Sequence, residues 1–112
     1  MDSLTNQYCQ IIKNVLQEYA DFFGNDAQVK VEVVLDEKND HYLLVETGWE
    51  NGYRIYGSLL HFDLIDGKVW IQHDGTEEGV ANDLVAAGIP KLHIILGFKA
   101  PEVRKFTEFA VF

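Results

Sequence analysis

Two dipeptides constrain this chain more than any other feature: Asn51-Gly52 and Asp66-Gly67. Each favours the left-handed backbone of a type I′ turn, the two-residue loop that joins twisted antiparallel strands. Residues of strand character flank both. His41 to Trp49 precedes the first turn, Tyr53 to Ile65 joins the two, and Lys68 to His73 follows the second. Upstream, Val29, Val31, Val33 and Leu35 alternate with Lys30, Glu32 and Asp36, the pattern of a half-buried strand. Glu37-Lys38-Asn39-Asp40 supplies a longer turn between these segments. The pattern predicts an antiparallel meander, with Gly57 a bend or bulge in the long third strand.

Two-residue loops also set register. Ile65 then faces Lys68, Asp63 faces Trp70, His61 faces Gln72 and Leu60 faces His73. Around the first turn, Tyr56 faces Thr47, Leu60 faces Leu43 and His61 faces Tyr42. One sheet face carries Leu43, Val45, Tyr56, Leu60, Phe62, Leu64, Val69 and Ile71, and this is the expected core face. The other carries Tyr42, Leu44, Ile55, Leu59, His61, Asp63, Trp70 and Gln72. It is too apolar for a fully solvated surface, so the second helix or another chain is expected to cover it.

Residues 3–23 read as a helix. Ser3 is a candidate N-cap, and Leu4, Tyr8, Ile11, Ile12, Val15, Tyr19 and Phe22 form one apolar stripe for the core face. Gly24 and Asn25 are expected to end it in a left-handed stop. After the fourth strand, Thr76 is placed as the cap of a second helix, with Glu77 and Glu78 in its first turn. Gly88 and Pro90 terminate that helix. Lys91 to Leu96 suggests a turn of helix leading to a short extended piece, and Phe106 to Phe112 a final strand at the sheet edge. The fold class is α+β: an N-terminal helix on a meander, a second helix after the fourth strand, and a short C-terminal strand.

The length, 112 residues, predicts one domain spanning 1–112. No apolar run approaches the ~20 residues of a membrane span, and no secretory signal opens the chain. A single cysteine, Cys9, on the first helix, has no internal partner; the cytoplasm is the expected compartment. Eighteen acidic residues against nine basic give a net charge of −9. Duplex binding needs Lys and Arg to neutralise phosphate, so direct nucleic-acid binding is not expected. A basic partner protein suits this surface better.

Candidate chemistry is sparse. His61 and Asp63 share a face, with His73 and Asp74 on the neighbouring strand, which raises metal or acid–base chemistry. The strict register turns His73 away from His61, so a polar cluster is expected and neither a metal nor a cofactor is assigned. Asp74-Gly75-Thr76-Glu77-Glu78-Gly79 opens a helix, but its carboxylates repel phosphate and it lacks the P-loop lysine. Gly57-Ser58-Leu59 sits mid-strand and forms no nucleophile elbow. His41 reads as a solvated turn residue, and His93 has no pattern partner. The segment Ala100 to Phe106 reads either as a C-terminal wrap or as a docking segment.

These words together resemble the XisI family, the fdxN element excision controlling factors of cyanobacteria. The resemblance runs through Tyr8-Cys9-Gln10-Ile11-Ile12, Asp40-His41-Tyr42, Gly48-Trp49, Arg54-Ile55-Tyr56-Gly57 and Leu60-His61-Phe62-Asp63. Its most specific words are Gly67-Lys68-Val69-Trp70-Ile71-Gln72 and Asp74-Gly75-Thr76-Glu77-Glu78-Gly79-Val80-Ala81. Gly88-Ile89-Pro90-Lys91, Leu96-Gly97-Phe98 and Pro101-Glu102-Val103-Arg104 complete it. The resemblance implies a role in programmed DNA excision during heterocyst differentiation, beside a recombinase and a nuclease-like companion, XisH. It implies no catalytic residues. The expectation is a non-catalytic accessory protein that binds a XisH-like partner through Tyr42, His61, Asp63, Trp70, Pro101, Arg104 and Phe106. The alternative is a small-ligand or metal-dependent enzyme domain on the His61/Asp63 face. Self-association through the mixed face suits either.

Overall fold

A computed structural model describes residues 3–112. The helix α1 (Ser3–Phe23) leads into β1 (Val29–Asp36), β2 (His41–Glu50), β3 (Tyr53–Ile65) and β4 (Lys68–Asp74). After them come α2 (Ala81–Ala86), a 3-10 turn (Lys91–His93), β5 (Ile94–Leu96) and α3 (Pro101–Arg104). One sheet has the order β1-β2-β3-β4-β5. The first four strands pair antiparallel, and β5 runs parallel to β4. This is the predicted α+β architecture. The short C-terminal strand falls at Ile94–Leu96; the 106–112 tail contributes only the bridge of Ala110 to Ile95.

Both predicted tight turns form. Asn51 and Gly52 take φ of 50° and 81°, and Asp66 and Gly67 take 51° and 78°, as type I′ requires. Register holds near each turn and slips beyond it. Tyr56 faces Thr47 as predicted, but Leu60 faces Leu44 instead of Leu43, because Leu59 is an extra residue in β3. Asp63 faces Trp70 as predicted, but His61 faces His73, with Gln72 the extra residue in β4. Such bulges re-aim every side chain past them.

The Leu59 bulge settles which residues form the core. Leu60, Phe62, Leu64, Val69 and Ile71 are buried as expected. Tyr42 and Leu44, expected on the opposite face, join them at 1% and 0% exposure. Tyr56, expected inside, is 78% exposed, and Leu43 and Val45 turn to the outer face with it. Beyond the bulge, β2 meets the other side of β3, so the apolar half of β3 selects Tyr42 and Leu44.

α1 presents Tyr8, Ile12, Val15 and Leu16 to this core. Phe22, expected in its stripe, overhangs the sheet at 72% exposure. Ser3 is itself the first helical residue. The helix ends without a left-handed glycine: the Asn25 side-chain amide donates to the carbonyls of Asp21 and Phe22.

α2 packs Leu84 and Ala81 into the same cluster as α1, so both helices lie on one side of the sheet. Neither covers the outer face. α2 begins at Ala81, later than the expected Thr76, because Gly79 sits at φ 88°, outside helical space. Gly88 ends it as expected, at φ 116°. The Gly88 and Ile89 amides donate to the Val85 and Leu84 carbonyls at 3.0 Å each, a Schellman closure.

Candidate functional site

The densest convergence of polar side chains lies on the outer sheet face. His61 and Asp63 sit two residues apart on β3, so both point outward. His41 opens β2 and is the ladder partner of Asp63. His41 Nδ1 and His61 Nε2 both donate to Asp63 Oδ1, at 2.6 and 2.8 Å. Gln72 Nε2 donates to Asp63 Oδ2 at 3.1 Å. Asp63 is 8% exposed, the one buried charged residue among those described. The His41 and His61 rings meet edge to face with centroids 6.1 Å apart.

Opposing effects act on the Asp63 carboxyl. Burial pushes its pKa up, but the hydrogen bonds from His41, His61 and Gln72 outweigh it and hold the carboxyl below its usual value. In return, the hydrogen bond to Asp63 and its charge raise His41 above the ordinary imidazole value, against a smaller effect of desolvation. Asp36 and Asp40 add weaker contributions in the same direction.

Sequence reasoning missed His41. Under a strict register it faces Phe62; only the extra residue at Leu59 brings it opposite Asp63. His73, expected to face away from His61, is its ladder partner. It nevertheless lies outside the group of His41, His61 and Asp63, whose donor atoms all fall within 4.8 Å of one another.

The other predicted site residues separate. Tyr42 leaves the site: it is buried on the core face, accepts from Cys9 Sγ at 3.3 Å and donates to Asp40 at 2.9 Å. Trp70 stays on the outer face, but Arg104 from α3 lies over its ring at 5.1 Å. Arg104 also donates to the carbonyls of Lys99 at 3.1 Å and Gly97 at 3.4 Å, which pins the tail across β4 and β5. Pro101 opens α3 and is exposed; Phe106 is 79% exposed. His93, without a partner in the sequence pattern, shares a 2.5 Å hydrogen bond with Tyr8.

A cleft of about 670 Å³ opens on the helical side. Tyr19, Phe22, Phe23 and Leu59 supply its apolar lining, and Glu18, Glu77, Glu78 and Asp83 its carboxylates. Tyr19 donates to Asp83, and its phenol is pushed up by burial, by that bond and by nearby carboxylates. The loop beside it is closed to anions. Asp74 accepts from the amides of Thr76 at 2.9 Å and Val80 at 2.8 Å and from the Thr76 hydroxyl at 2.6 Å. The donors an anion would use are thus taken by a carboxylate.

The family model described as XisI protein matches residues 1–111. This chain belongs to the XisI family. A crystal structure of a XisI-like protein from Anabaena variabilis aligns with a TM-score of 0.90 at 36% identity, covering 96% of this chain and 99% of that one. The fdxN element excision controlling factor XisI from the same organism aligns with a TM-score of 0.84 at 32% identity, covering 97% and 99%. No curated protein matches the chain. The XisI fold therefore extends over the β-meander, both helices and the tail. No helix among the described residues is long and apolar enough to cross a membrane.

Proposed function

We propose that this protein is a non-catalytic accessory factor in the controlled excision of a DNA element, acting by binding a XisH-like nuclease partner. The excision role draws on XisI membership and on the similar protein named an excision controlling factor. The binding role is carried by the outer sheet face over β1 to β3, which neither α1 nor α2 covers. Trp49 and Tyr56 stand there at 57% and 78% exposure, with Val34 and Ile65 also exposed beside the His41–His61–Asp63 cluster. Trp and Tyr are among the residue types enriched at the centres of protein interfaces.

The docking surface comprises His61, Asp63, Trp70, Pro101, Arg104 and Phe106, with Trp49 and Tyr56 added by the observed register. Tyr42 is not part of it. The net charge of −9 complements a basic nuclease surface and disfavours direct contact with duplex phosphate. Residues 1–112 act as one XisI-like unit, in the reducing cytoplasm that suits the free thiol of Cys9.

Co-expression with a XisH-like protein tests this. A co-purifying complex, weakened by Tyr56→Ala or Phe106→Ala, is expected; no complex at low or moderate salt overturns it. Self-association through the same face predicts a dimer by light scattering that the partner dissociates. The second reading, a small-ligand or metal-dependent enzyme domain, gains support from His41 joining His61 and Asp63. Catalytic turnover lost in a folded His61→Ala variant would favour it.

A further inference from the structure

We infer that His41, His61 and Asp63 form a binding site for one divalent first-row transition metal of the zinc class. The inference stands on this geometry and does not depend on the excision reading.

Three donors of the right kind converge from two paired strands. Two imidazole nitrogens and a carboxylate oxygen lie within 4.8 Å of one another. Imidazole selects zinc, copper, nickel or iron over magnesium and calcium, which take oxygen. Two His and one carboxylate is also the ligand count of open three-ligand zinc sites and of the facial triad.

The distances fit a site closed by protons in place of a metal. His41 Nδ1 and His61 Nε2 lie 2.6 and 2.8 Å from Asp63 Oδ1. Metal–ligand bonds of about 2.0–2.2 Å in a tetrahedron separate donors by about 3.3 Å. The Asp63 oxygen must therefore withdraw by well under about 1 Å, and the donors that stand as far as 4.8 Å apart must close by up to about 1.5 Å, for one cation to take the place of the two bonding protons. These are side-chain rotations about Cα positions fixed by the β-ladder, and the half-exposed His41 ring has the most room to turn.

The surroundings are those of a ligand set and not only of an ion pair. Gln72 holds the second carboxylate oxygen at 3.1 Å, leaving Oδ1 to face the histidines. Metal-binding carboxylates are oriented by such outer hydrogen bonds. The His41 side chain is 49% exposed, so an ion can enter and its remaining positions face solvent. The carboxylates of Asp36 and Asp40 bear on His41, adding negative field to a site that gains two positive charges.

The test is titration of untagged, chelator-treated protein with Co²⁺ and then Zn²⁺, followed by visible d–d absorption and calorimetry. One Co²⁺ per chain is expected, with bands of a low-coordinate nitrogen–oxygen site that Zn²⁺ displaces. His41→Ala, at a half-exposed position that leaves the core intact, should weaken binding at least ~10-fold, as should His61→Ala. Gln72→Leu should weaken it less, and His73→Ala should leave it unchanged. Absence of saturable uptake, or uptake that survives loss of both His41 and His61 in a protein folded by circular dichroism, overturns the inference.

Discussion

The buried carboxylate of Asp63 makes a prediction that the structure quantifies. Asp63→Asn keeps the shape and removes the charge. Hydrogen bonds to a charged group contribute about 1.5–3 kcal/mol each. The bonds from His61 and Gln72 reach a carboxylate that is 8% exposed, but His61 itself is 29% exposed at the side chain and its share must be discounted. The expected loss is about 2 kcal/mol, or about 8 °C in Tm for a domain of this size. The pH dependence separates this from a simple packing defect. The raised His41 value contributes stability fully below its ordinary 6.5 and loses it as pH rises through the folded value. The lowered Asp63 value contributes above its ordinary 3.8 and loses it as pH falls through the folded value. Urea unfolding across pH should therefore show the gap between wild type and Asp63→Asn widest between about pH 4 and 6.5, narrowing on both sides. A variant as stable as wild type at pH 5.5, or a gap unchanged from acid to alkaline pH, refutes the reasoning.

Three further predictions follow from packing. A Cβ on Gly48 would meet the Gln28 carbonyl oxygen at 2.1 Å and Val29 Cα at 2.8 Å, so Gly48→Ala should cost about 1–3 kcal/mol in urea unfolding. Gly57→Ala, with nothing within 4 Å of the added carbon, should cost less; equal losses would contradict the close approach of β1 and β2. Arg104→Ala removes the Trp70 contact and two carbonyl bonds, at about 1 kcal/mol, and should speed hydrogen exchange across 97–112 while sparing β2 and β3. Leu16→Ala opens a cavity at a fully buried position between α1 and the sheet and should lower stability by about 2–5 kcal/mol; a loss under about 1 kcal/mol would contradict the packing.

Where local chemistry decides structure, the sequence was legible. Asn51-Gly52 and Asp66-Gly67 leave no good alternative to type I′ turns, and the α1 period leaves none to its helix. Gly88 closes α2 for the same kind of reason. The bulges were legible only in part: Gly57 points to a bend or bulge in β3, but it stays in register opposite Glu46 and the extra residue is Leu59. An extra residue in a strand carries no side-chain mark, and nothing in its chemistry sets Leu59 apart from Leu60 beside it. Yet it decides whether Tyr42 faces core or solvent and whether His41 meets Asp63 or Phe62. The start of α2 was misplaced for a related reason. Thr76 and two glutamates have the composition of a helix N-terminus, but Asp74 takes the local amides and Gly79 breaks the helical backbone. Both errors are of a few residues: the first falls where core packing outranks a local signal, the second where one local signal outranks another.

The Leu59 bulge also ties the two candidate sites together. Before it, β3 turns Tyr56 and Ser58 to the outer face; after it, Leu60, Phe62 and Leu64 fill the core while His61 and Asp63 face outward. Leu59 itself packs inward and lines the acidic cleft beside Tyr19 and Phe22. One added residue thus supplies the floor of the cleft on the helical side and assembles the His41–His61–Asp63 cluster on the other. A bulge that leaves a long strand out of register is not favoured by sheet geometry alone. Here the apolar half of β3 holds it in place, because closing it would expose Tyr42 and Leu44 or bury Leu43 and Val45 against a surface that does not match them. The outer polar cluster is therefore stabilised from the inner face, by core residues that never touch it.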